Sequence, residues 1–175
     1  MLIDTATNAL MQSIQTPILT TISKIVSLVF DPLTLIIISL ILAAYLYIKS
    51  SKKQGIFFAS AIVSTGILIK VSKEIFQRVR PLNSIIQESG FSMPSGSSTM
   101  AVVFFGLLAY LFSRKKSKQV KLATALITIL IVLLVAFTRI YLRVHWLTDV
   151  VAGLVLGTII LALSITTYKN NYFFK

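Results

Sequence analysis

Charged residues divide most of this chain into five apolar blocks that carry no charge. The blocks cover residues 32–48, 54–69, 97–112, 122–138 and 150–168, and each is 16 to 19 residues long. A helix of ~20 apolar residues crosses the hydrocarbon layer of a bilayer, and soluble core helices rarely occur five in a row without a polar face. The pattern therefore predicts an all-α, polytopic membrane helix bundle with about five transmembrane helices. Lys70 directly follows the second block, and we expect it to extend from that helix towards the interface.

Residues 1–30 follow a weaker pattern. Apolar residues recur there at helical spacing among many polar ones, at Ile18, Ile22, Ile25, Val26 and Val29. This predicts one amphipathic helix lying in the membrane interface, which makes six helices in all, with a poorly spanning helix as the alternative. The segment lacks the basic start and the cleavage site of a signal peptide. We therefore expect it to be retained within a single membrane domain over residues 1–175.

The composition excludes several classes of protein. Hydrophobic residues make up 56% of the chain and charged residues 13%, with a mean hydropathy of +0.89. A soluble domain has about 25% charged residues, so a soluble globule and a disordered chain are both excluded. The chain has no cysteine and one histidine, which excludes thiol catalysis and argues against a metal site, and we expect no cofactor. The net charge of +12 would indicate nucleic acid in a soluble protein, but in this chain it indicates anionic lipid, and no nucleic-acid partner is expected.

The basic residues also predict an orientation. Residues 49–53 and 114–118 form short basic loops, and the tail carries Lys169 and Lys175. The positive-inside rule assigns all three to the cytoplasm. That side then has ten basic and no acidic residues, whereas the other side has seven basic and five acidic ones. We expect a multi-pass protein of the cell membrane with a cytoplasmic C-terminus.

The first of three polar segments on the outer side contains Lys73, Arg80 and Pro81. Lys73 and Arg80 are seven residues apart, which is about two helical turns, so both are predicted to point to one face of a helix that Pro81 ends. Two cations on one face suit an anion of charge two or more. Arg78 lies between them, and on its own it reads as a residue that reaches lipid phosphates.

The second segment, residues 94–99, directly precedes an apolar helix. Gly96 lets the backbone approach a ligand, and the possible N-caps are Ser95, Ser97 and Ser98. The free amides at the start of a helix form a phosphate site, although on this segment alone an ordinary capped turn is the favoured explanation.

The third segment holds the only histidine. His145 and Asp149 are four residues apart, which places them side by side on one helix face. A carboxylate beside an imidazole fixes its tautomer and raises its nucleophilicity. Arg139 would not share that face, so we expect the chain to bend between Arg139 and His145.

In order and spacing, these three segments resemble the signature of the type 2 phosphatidic acid phosphatase family over about residues 70–155. The resemblance implies a metal-independent phosphohydrolase acting on a lipid phosphate or diphosphate, such as phosphatidylglycerophosphate or undecaprenyl diphosphate. It implies that His145 attacks phosphorus to form a phosphohistidine and that Asp149 orients it. It also implies a set of phosphate-binding residues, namely Lys73, Arg80, Ser95, Gly96 and Arg139. Vanadate or tungstate is the expected phosphate analogue, and the site is expected on the extracytoplasmic side.

One position departs from the family. Ser97 stands where the family has the histidine that acts as general acid for the leaving oxygen, and the pKa of a serine hydroxyl is far too high for that role. The explanations are an engineered inactive variant, which we favour because the rest of the signature is intact, and a natural pseudo-enzyme that binds lipid phosphates without turnover. A small channel or transporter is disfavoured, because the spans contain almost no polar pathway. The short outer loops also leave little room for a large head-group pocket.

Overall fold

The computed structural model describes residues 2–170, and these form seven α-helices and no β-strand. The helices are α1 (Leu2–Ser13), α2 (Pro17–Val29), α3 (Pro32–Lys49), α4 (Lys52–Phe76), α5 (Gly96–Ser113), α6 (Lys118–Tyr141) and α7 (Leu147–Lys169). Helices α3 to α7 are long and apolar enough to cross a membrane, which confirms the predicted five-span bundle. Residues 171–175, which include Lys175 of the tail, lie outside the described residues.

Helix α5 is the centre of the bundle and packs against α3, α4, α6 and α7. Its side chains Met100 and Leu107 are fully buried against Phe58 and Ile62 of α4. In contrast, α6 turns Leu126, Leu130, Leu133 and other large apolar side chains outward. An apolar exterior around a packed centre is the arrangement expected where lipid, and not water, covers the bundle.

Two glycines bring α7 against α5. A Cβ atom at Gly153 would lie 2.6 Å from the carbonyl oxygen of Ser95, and one at Gly157 would lie 2.8 Å from that of Thr99. This small-xxx-small spacing allows close backbone approach between membrane helices. Because the contact lies at the start of both helices, it also sets the separation between the second and third polar segments.

The N-terminal segment forms two helices and not the single interfacial helix predicted, so the described chain has seven helices where the sequence indicated six. Proline cannot continue a helix but suits its first position, and Pro17 begins α2. The Thr16 hydroxyl caps α2 by accepting a hydrogen bond from the backbone N–H of Leu19. Thr16 and Thr20 also hydrogen bond to the Tyr141 hydroxyl, which joins α2 to the end of α6.

The predicted basic segments meet at one end of the bundle. The Lys53 ammonium lies 5.0 Å from the centre of the Tyr168 ring, and the Arg114 guanidinium donates a 2.7 Å hydrogen bond to the Tyr168 hydroxyl. Lys169 lies 6.0 Å from the ring of Tyr110. The ends of α3, α5 and α7 are therefore together, and the three polar segments lie at the opposite end.

Candidate active site

The site is built from the irregular segment 77–95, the turn 142–146, and the first residues of α5 and α7. Backbone hydrogen bonds join these parts, from Ser95 N–H to the Asp149 carbonyl at 2.9 Å and from Ile85 N–H to the Leu142 carbonyl at 2.9 Å. All three polar segments predicted from the sequence are therefore neighbours in space.

Lys73 and Arg80 are brought together, but not on one helix face as predicted. Helix α4 ends at Phe76, because Gln77 adopts a left-handed conformation with φ of 44° and its N–H bonds the Lys73 carbonyl. Proline marks only the latest point at which the helix can end, and the left-handed residue ends it one turn earlier. Lys73 and Arg80 both donate instead to the carbonyl oxygen of Phe91, which lies 3.4 Å from Nη2 of Arg80.

In the second segment, Ser95 is the N-cap of α5, as one of the three serines was predicted to be. Its Oγ accepts a hydrogen bond from the Ser98 N–H. A Cβ atom at Gly96 would lie 3.2 Å from Pro32, so this glycine also allows tight packing onto α3. Ser97 is 1% exposed, and its hydroxyl bonds no group among residues 2–170. A buried hydroxyl without a partner at a helix start is available to a ligand.

The chain bends in the third segment, which confirms that prediction. Helix α6 ends at Tyr141, and Arg143 adopts a left-handed conformation with φ of 55°. His145, however, precedes α7 and does not lie on one of its faces as predicted. Asp149 is in the first turn of α7, where its Oδ2 accepts the Trp146 N–H at 2.9 Å. The prediction missed this cap because a four-residue spacing does not show where a helix begins.

The hydrogen bonds of His145 define its tautomer. Nδ1 lies 2.7 Å from the carbonyl oxygen of Ser92, which only accepts, so Nδ1 carries the proton. Nε2 lies 3.3 Å from Nη1 of Arg80, which only donates, so Nε2 presents its lone pair. The carboxylate of Asp149 stands further from Nδ1, at 3.7 Å. The Ser92 carbonyl is thus the direct partner of the imidazole, and no signal in the sequence identified it.

The surroundings keep His145 neutral. The pKa of His145 is lowered from 6.5 to about 3, mainly by burial. The positive charges of Arg139, Arg80 and Lys73 lower it further, whereas the hydrogen bond with Asp149 acts to raise it. Burial likewise lowers the pKa of Arg80, although the arginine stays charged. A neutral imidazole whose Nε2 carries no proton is the form that a nucleophile needs.

Glu88, which sequence reasoning missed, lies at the centre of the cations. Its Oε2 is 2.9 Å from Nη1 of Arg80 and 3.9 Å from Nε2 of His145, and its Oε1 accepts a hydrogen bond from Nη2 of Arg139. Arg139 is 1% exposed and also donates to the hydroxyl of Ser27 in α2. The two guanidinium groups therefore hold one oxyanion, the Glu88 carboxylate, beside the histidine.

Arg78 is a second residue whose position the sequence did not reveal. It donates to Asp149 Oδ1 and to Asp4 Oδ2, each at 2.6 Å, and so joins the third segment to α1. Asp4 also accepts the Thr148 N–H at 3.0 Å. The sequence did not indicate that Asp4 would hold Arg78, because Asp4 lies near the start of the chain and outside every apolar block.

A cavity of about 750 Å³ opens beside the site. It lies between α1 and residues 78–83, and its walls include Asn8, Gln12, Leu82 and Trp146. The expectation that short outer loops leave little room was therefore wrong, because α1 supplies the missing wall. Among residues 2–170, no three histidine or carboxylate side chains cluster in a way that could hold a metal ion.

The fold and the site define a class: a helical membrane protein with two arginines that hold an oxyanion against a neutral histidine. The model of the PAP2 superfamily matches residues 54–173, and the chain belongs to this family. The predicted resemblance is thereby confirmed. The matched region begins after α3, so the N-terminal contributions from Asp4 and Ser27 lie outside it.

Three matches to known proteins and structures extend the comparison. Phosphatidylglycerophosphatase B of Bacillus subtilis (strain 168) is 29% identical over 130 residues, which cover 70% of this chain and 62% of that protein, less than two thirds of its length. A crystal structure of a transmembrane PAP2-type phosphatidylglycerolphosphate phosphatase from Bacillus subtilis matches with a TM-score of 0.88 and 27% identity, over 98% of this chain and 87% of that one. Aquifex aeolicus LpxE shares the fold, with a TM-score of 0.73 and 22% identity over 93% and 94% of the two chains.

Proposed function

We propose that this protein is a metal-independent membrane lipid phosphatase that works through a phosphohistidine. One arrangement carries the proposal: the Glu88 carboxylate bound by Arg80 and Arg139, 3.9 Å from the lone-pair nitrogen of the only histidine. A phosphoryl group exchanged for that carboxylate would have its oxygens on the guanidinium groups and its phosphorus facing Nε2. Fixed cations around an in-line nucleophile are what phosphoryl transfer requires.

The reaction has two steps. Nε2 of His145 forms a bond to phosphorus while the bond from phosphorus to the leaving oxygen breaks, and the leaving group departs with that electron pair. A water molecule then attacks the phosphohistidine, the N–P bond breaks, inorganic phosphate is released and Nε2 recovers its lone pair. Nδ1 keeps its proton on the Ser92 carbonyl throughout, and the Asp149 carboxylate stabilises the positive charge that the imidazole acquires.

The remaining signature residues bind the phosphoryl oxygens. Lys73, Arg80 and Arg139 neutralise their charge, and Ser95 with the Gly96 amide lines the start of α5. Ser97 occupies the family's general-acid position, and its free hydroxyl donates a hydrogen bond to the phosphoryl group without supplying a proton. We infer that the chain is impaired for substrates whose leaving group requires protonation.

The substrate class is a lipid phosphate or diphosphate in the outer leaflet of the cell membrane. Phosphatidylglycerophosphate is supported by the name that the Bacillus subtilis phosphatase has in both the sequence match and the structure match. Undecaprenyl diphosphate suits the same site because both lipids present a terminal phosphoryl group. The basic end of the bundle supports a cytoplasmic C-terminus and an extracytoplasmic site.

The experiment that tests this function measures phosphate release from phosphatidylglycerophosphate and from undecaprenyl diphosphate, in mixed micelles that contain the purified chain or Ser97→His. We expect release that is abolished by His145→Ala and unaffected by a chelator. Alkaline quenching during a single turnover should preserve a phosphohistidine that acid then hydrolyses, in the active protein only. Turnover that persists in His145→Ala, or that a chelator stops, would refute the mechanism.

The second candidate is a protein that binds lipid phosphates without turnover, and Ser97 is the observation that favours it. Both candidates predict binding of vanadate or tungstate. They differ in the effect of Ser97→His, because restoring the acid restores an inactivated enzyme. Failure of Ser97→His to release phosphate from either lipid would support the pseudo-enzyme.

A further inference from the structure

We propose that Arg78, held by Asp4 of α1, is a positioning residue that fixes the Asp149 carboxylate beside the imidazole of His145. The proposal rests on the proposed function only in taking His145 as the nucleophile. Arg78 lies between Lys73 and Arg80 but is not one of the signature residues, and Asp4 lies outside the region that the family model matches.

The geometry around Asp149 leaves its carboxylate one orientation. Oδ1 accepts from Arg78 Nη1 at 2.6 Å, and Oδ2 accepts from the Trp146 N–H at 2.9 Å. Oδ2 is also the oxygen that faces Nδ1 of His145, at 3.7 Å. Asp149 is fully buried, so no water competes for these oxygens. Arg78 and the Trp146 amide therefore fix the plane of the carboxylate and keep one oxygen directed at the imidazole.

Asp4 holds the other side of the same guanidinium. Its Oδ2 lies 2.6 Å from Arg78 Nη2, while its Oδ1 accepts from both the N–H and the hydroxyl of Thr148 at 3.0 Å. Asp4 is 3% exposed although it lies in the first turn of the first helix. Burial acts to raise the pKa of Asp4, but the hydrogen bonds from Thr148 and Arg78 outweigh burial and leave that pKa below its usual value.

A planar guanidinium suits this position because it donates to two carboxylates in fixed directions. The charges also agree, since Arg78 stands between two buried acids and the ion pairs raise its pKa despite the opposing effect of burial. With Arg78 removed, Asp149 would keep only the Trp146 amide, and its side chain could turn towards or away from His145.

A second arginine provides a matched control. Arg143 lies two residues before His145 and donates a 3.1 Å hydrogen bond to Gln12 of α1. Like Arg78, it therefore ties the outer segments to α1, but it makes no contact with Asp149 among the described residues. If Arg78 only anchored α1, then replacing Arg78 and replacing Arg143 would have the same effect on His145.

The test uses the fact that His145 is the only histidine in the chain. Protein labelled with ¹⁵N-histidine gives one pair of ring nitrogen signals in micelles, and their shifts report the tautomer without any turnover. The variants are Arg78→Gln, Arg78→Lys, Asp4→Asn and Arg143→Gln. Each is first checked by size-exclusion chromatography and thermal unfolding.

We expect the parent chain and Arg143→Gln to show a single imidazole protonated at Nδ1. Arg78→Gln should keep this tautomer, because the Ser92 carbonyl and Arg80 still contact the ring, but its spectrum should depart from that of the parent during an acid titration. Its imidazole should begin to protonate at a pH about one unit higher, because a carboxylate freed of its arginine favours the imidazolium. Asp4→Asn should have a smaller effect in the same direction, and Arg78→Lys should restore part of the parent spectrum. The groups that face the ring are otherwise unchanged, namely Lys73, Arg80, Glu88, Arg139 and Asp149.

Turnover gives the second readout, measured in the Ser97→His background. Arg78→Gln should lower kcat about 10–100-fold, the loss typical when an outer partner of a functional histidine is removed, and should change KM little. If Arg78→Gln and Arg143→Gln have the same histidine spectrum as the parent, the positioning role is wrong whatever the activity. If the spectra differ as expected and no variant releases phosphate, the positioning stands and the proposed function fails. Should Arg78→Gln not fold, an unchanged spectrum in both Arg78→Lys and Asp4→Asn overturns the proposal.

Discussion

Glu88 and Arg139, 51 residues apart in the chain, form a hydrogen-bonded ion pair at the centre of the site. The same carboxylate lies 2.9 Å from Arg80, so an internal anion occupies the position in which we propose that phosphate binds. Any oxyanion ligand must displace it. Residue 88 belongs to the irregular segment between α4 and α5, whose backbone is not held by a helix.

Replacing Glu88 by glutamine is therefore expected to strengthen oxyanion binding. The amide competes less well for two guanidinium groups, since hydrogen bonds to charged groups contribute about 1.5–3 kcal/mol each. We expect the Kd for vanadate, measured by calorimetry in micelles, to fall by about tenfold. Glu74→Gln is the control, because Glu74 is an exposed carboxylate near the end of α4. Equal or weaker vanadate binding in Glu88→Gln would show that the carboxylate does not compete with the ligand.

Substitution of Ser97 by histidine should depend on the leaving group. A general acid contributes about 10²–10⁴-fold, most where the leaving group is a poor one. A lipid monophosphate expels an alkoxide, whereas a lipid diphosphate expels a phosphate monoester that needs the proton far less. Ser97→His should thus raise phosphate release from phosphatidylglycerophosphate by a much larger factor than release from undecaprenyl diphosphate. Equal rescue on both lipids would mean that position 97 does more than protonate the leaving group.

The pH dependence of kcat/KM should show no transition near the ordinary pKa of histidine. Burial and the neighbouring cations lower the pKa of His145 to about 3, and kcat/KM reports the free enzyme. For the diphosphate substrate we expect no loss of kcat/KM as pH falls from 8 through about 6.5, the ordinary histidine pKa. A fall in kcat/KM centred near pH 6.5 in the chain with Ser97 would contradict a buried neutral imidazole.

The same pKa shift makes a stability prediction. The folded state disfavours the protonated imidazole, whereas the unfolded chain binds the proton with a pKa near 6.5. The stabilising contribution is therefore fully present above pH 6.5 and is lost as the pH falls towards 3. Thermal unfolding across this range should show a larger decrease in Tm for the parent than for His145→Gln, which keeps the same carboxylates but has no titrating group at position 145.

The close approach of α5 and α7 should tolerate no side chain at Gly153. A Cβ atom there would lie 2.6 Å from the Ser95 carbonyl, so Gly153→Ala must push the two helix starts apart. We expect a destabilisation of about 1–3 kcal/mol together with a loss of oxyanion binding. Gly66→Ala is the control within α4, because its Cβ would meet only Ile36 at an ordinary 3.6 Å. Normal stability and vanadate affinity in Gly153→Ala would refute the proposed importance of this contact.

The proposed orientation is open to cysteine labelling, since the chain has no cysteine of its own. Single cysteines at Ser51 and Ser117, in the basic loops, should resist a membrane-impermeant thiol reagent in intact cells. One at Ser89, exposed in the segment that carries Glu88, should react. Labelling after permeabilisation controls for accessibility, and the opposite pattern would reverse the topology.

The sequence alone was sufficient for the five spans and for the family. Apolar length is a local property, and a bilayer imposes the same requirement on every spanning segment. The spacing of Lys73, Arg80, Arg139, His145 and Asp149 carried the resemblance that the comparisons confirm. The sequence did not show where α4 and α6 end, because Gln77 and Arg143 adopt left-handed conformations that their residue types do not require.

Only the tertiary structure decided how the site is completed. Glu88 reaches Arg139 across 51 residues, and Asp4 reaches Arg78 across 74 residues. Neither pair belongs to a periodic pattern, so nothing local indicates it. The Ser92 carbonyl that holds the His145 proton has no side-chain signature at all. Hydrophobic periodicity places helices in the bilayer, but ion pairs and carbonyl contacts depend on how irregular segments meet at the end of the bundle, and that meeting exists only in the folded chain.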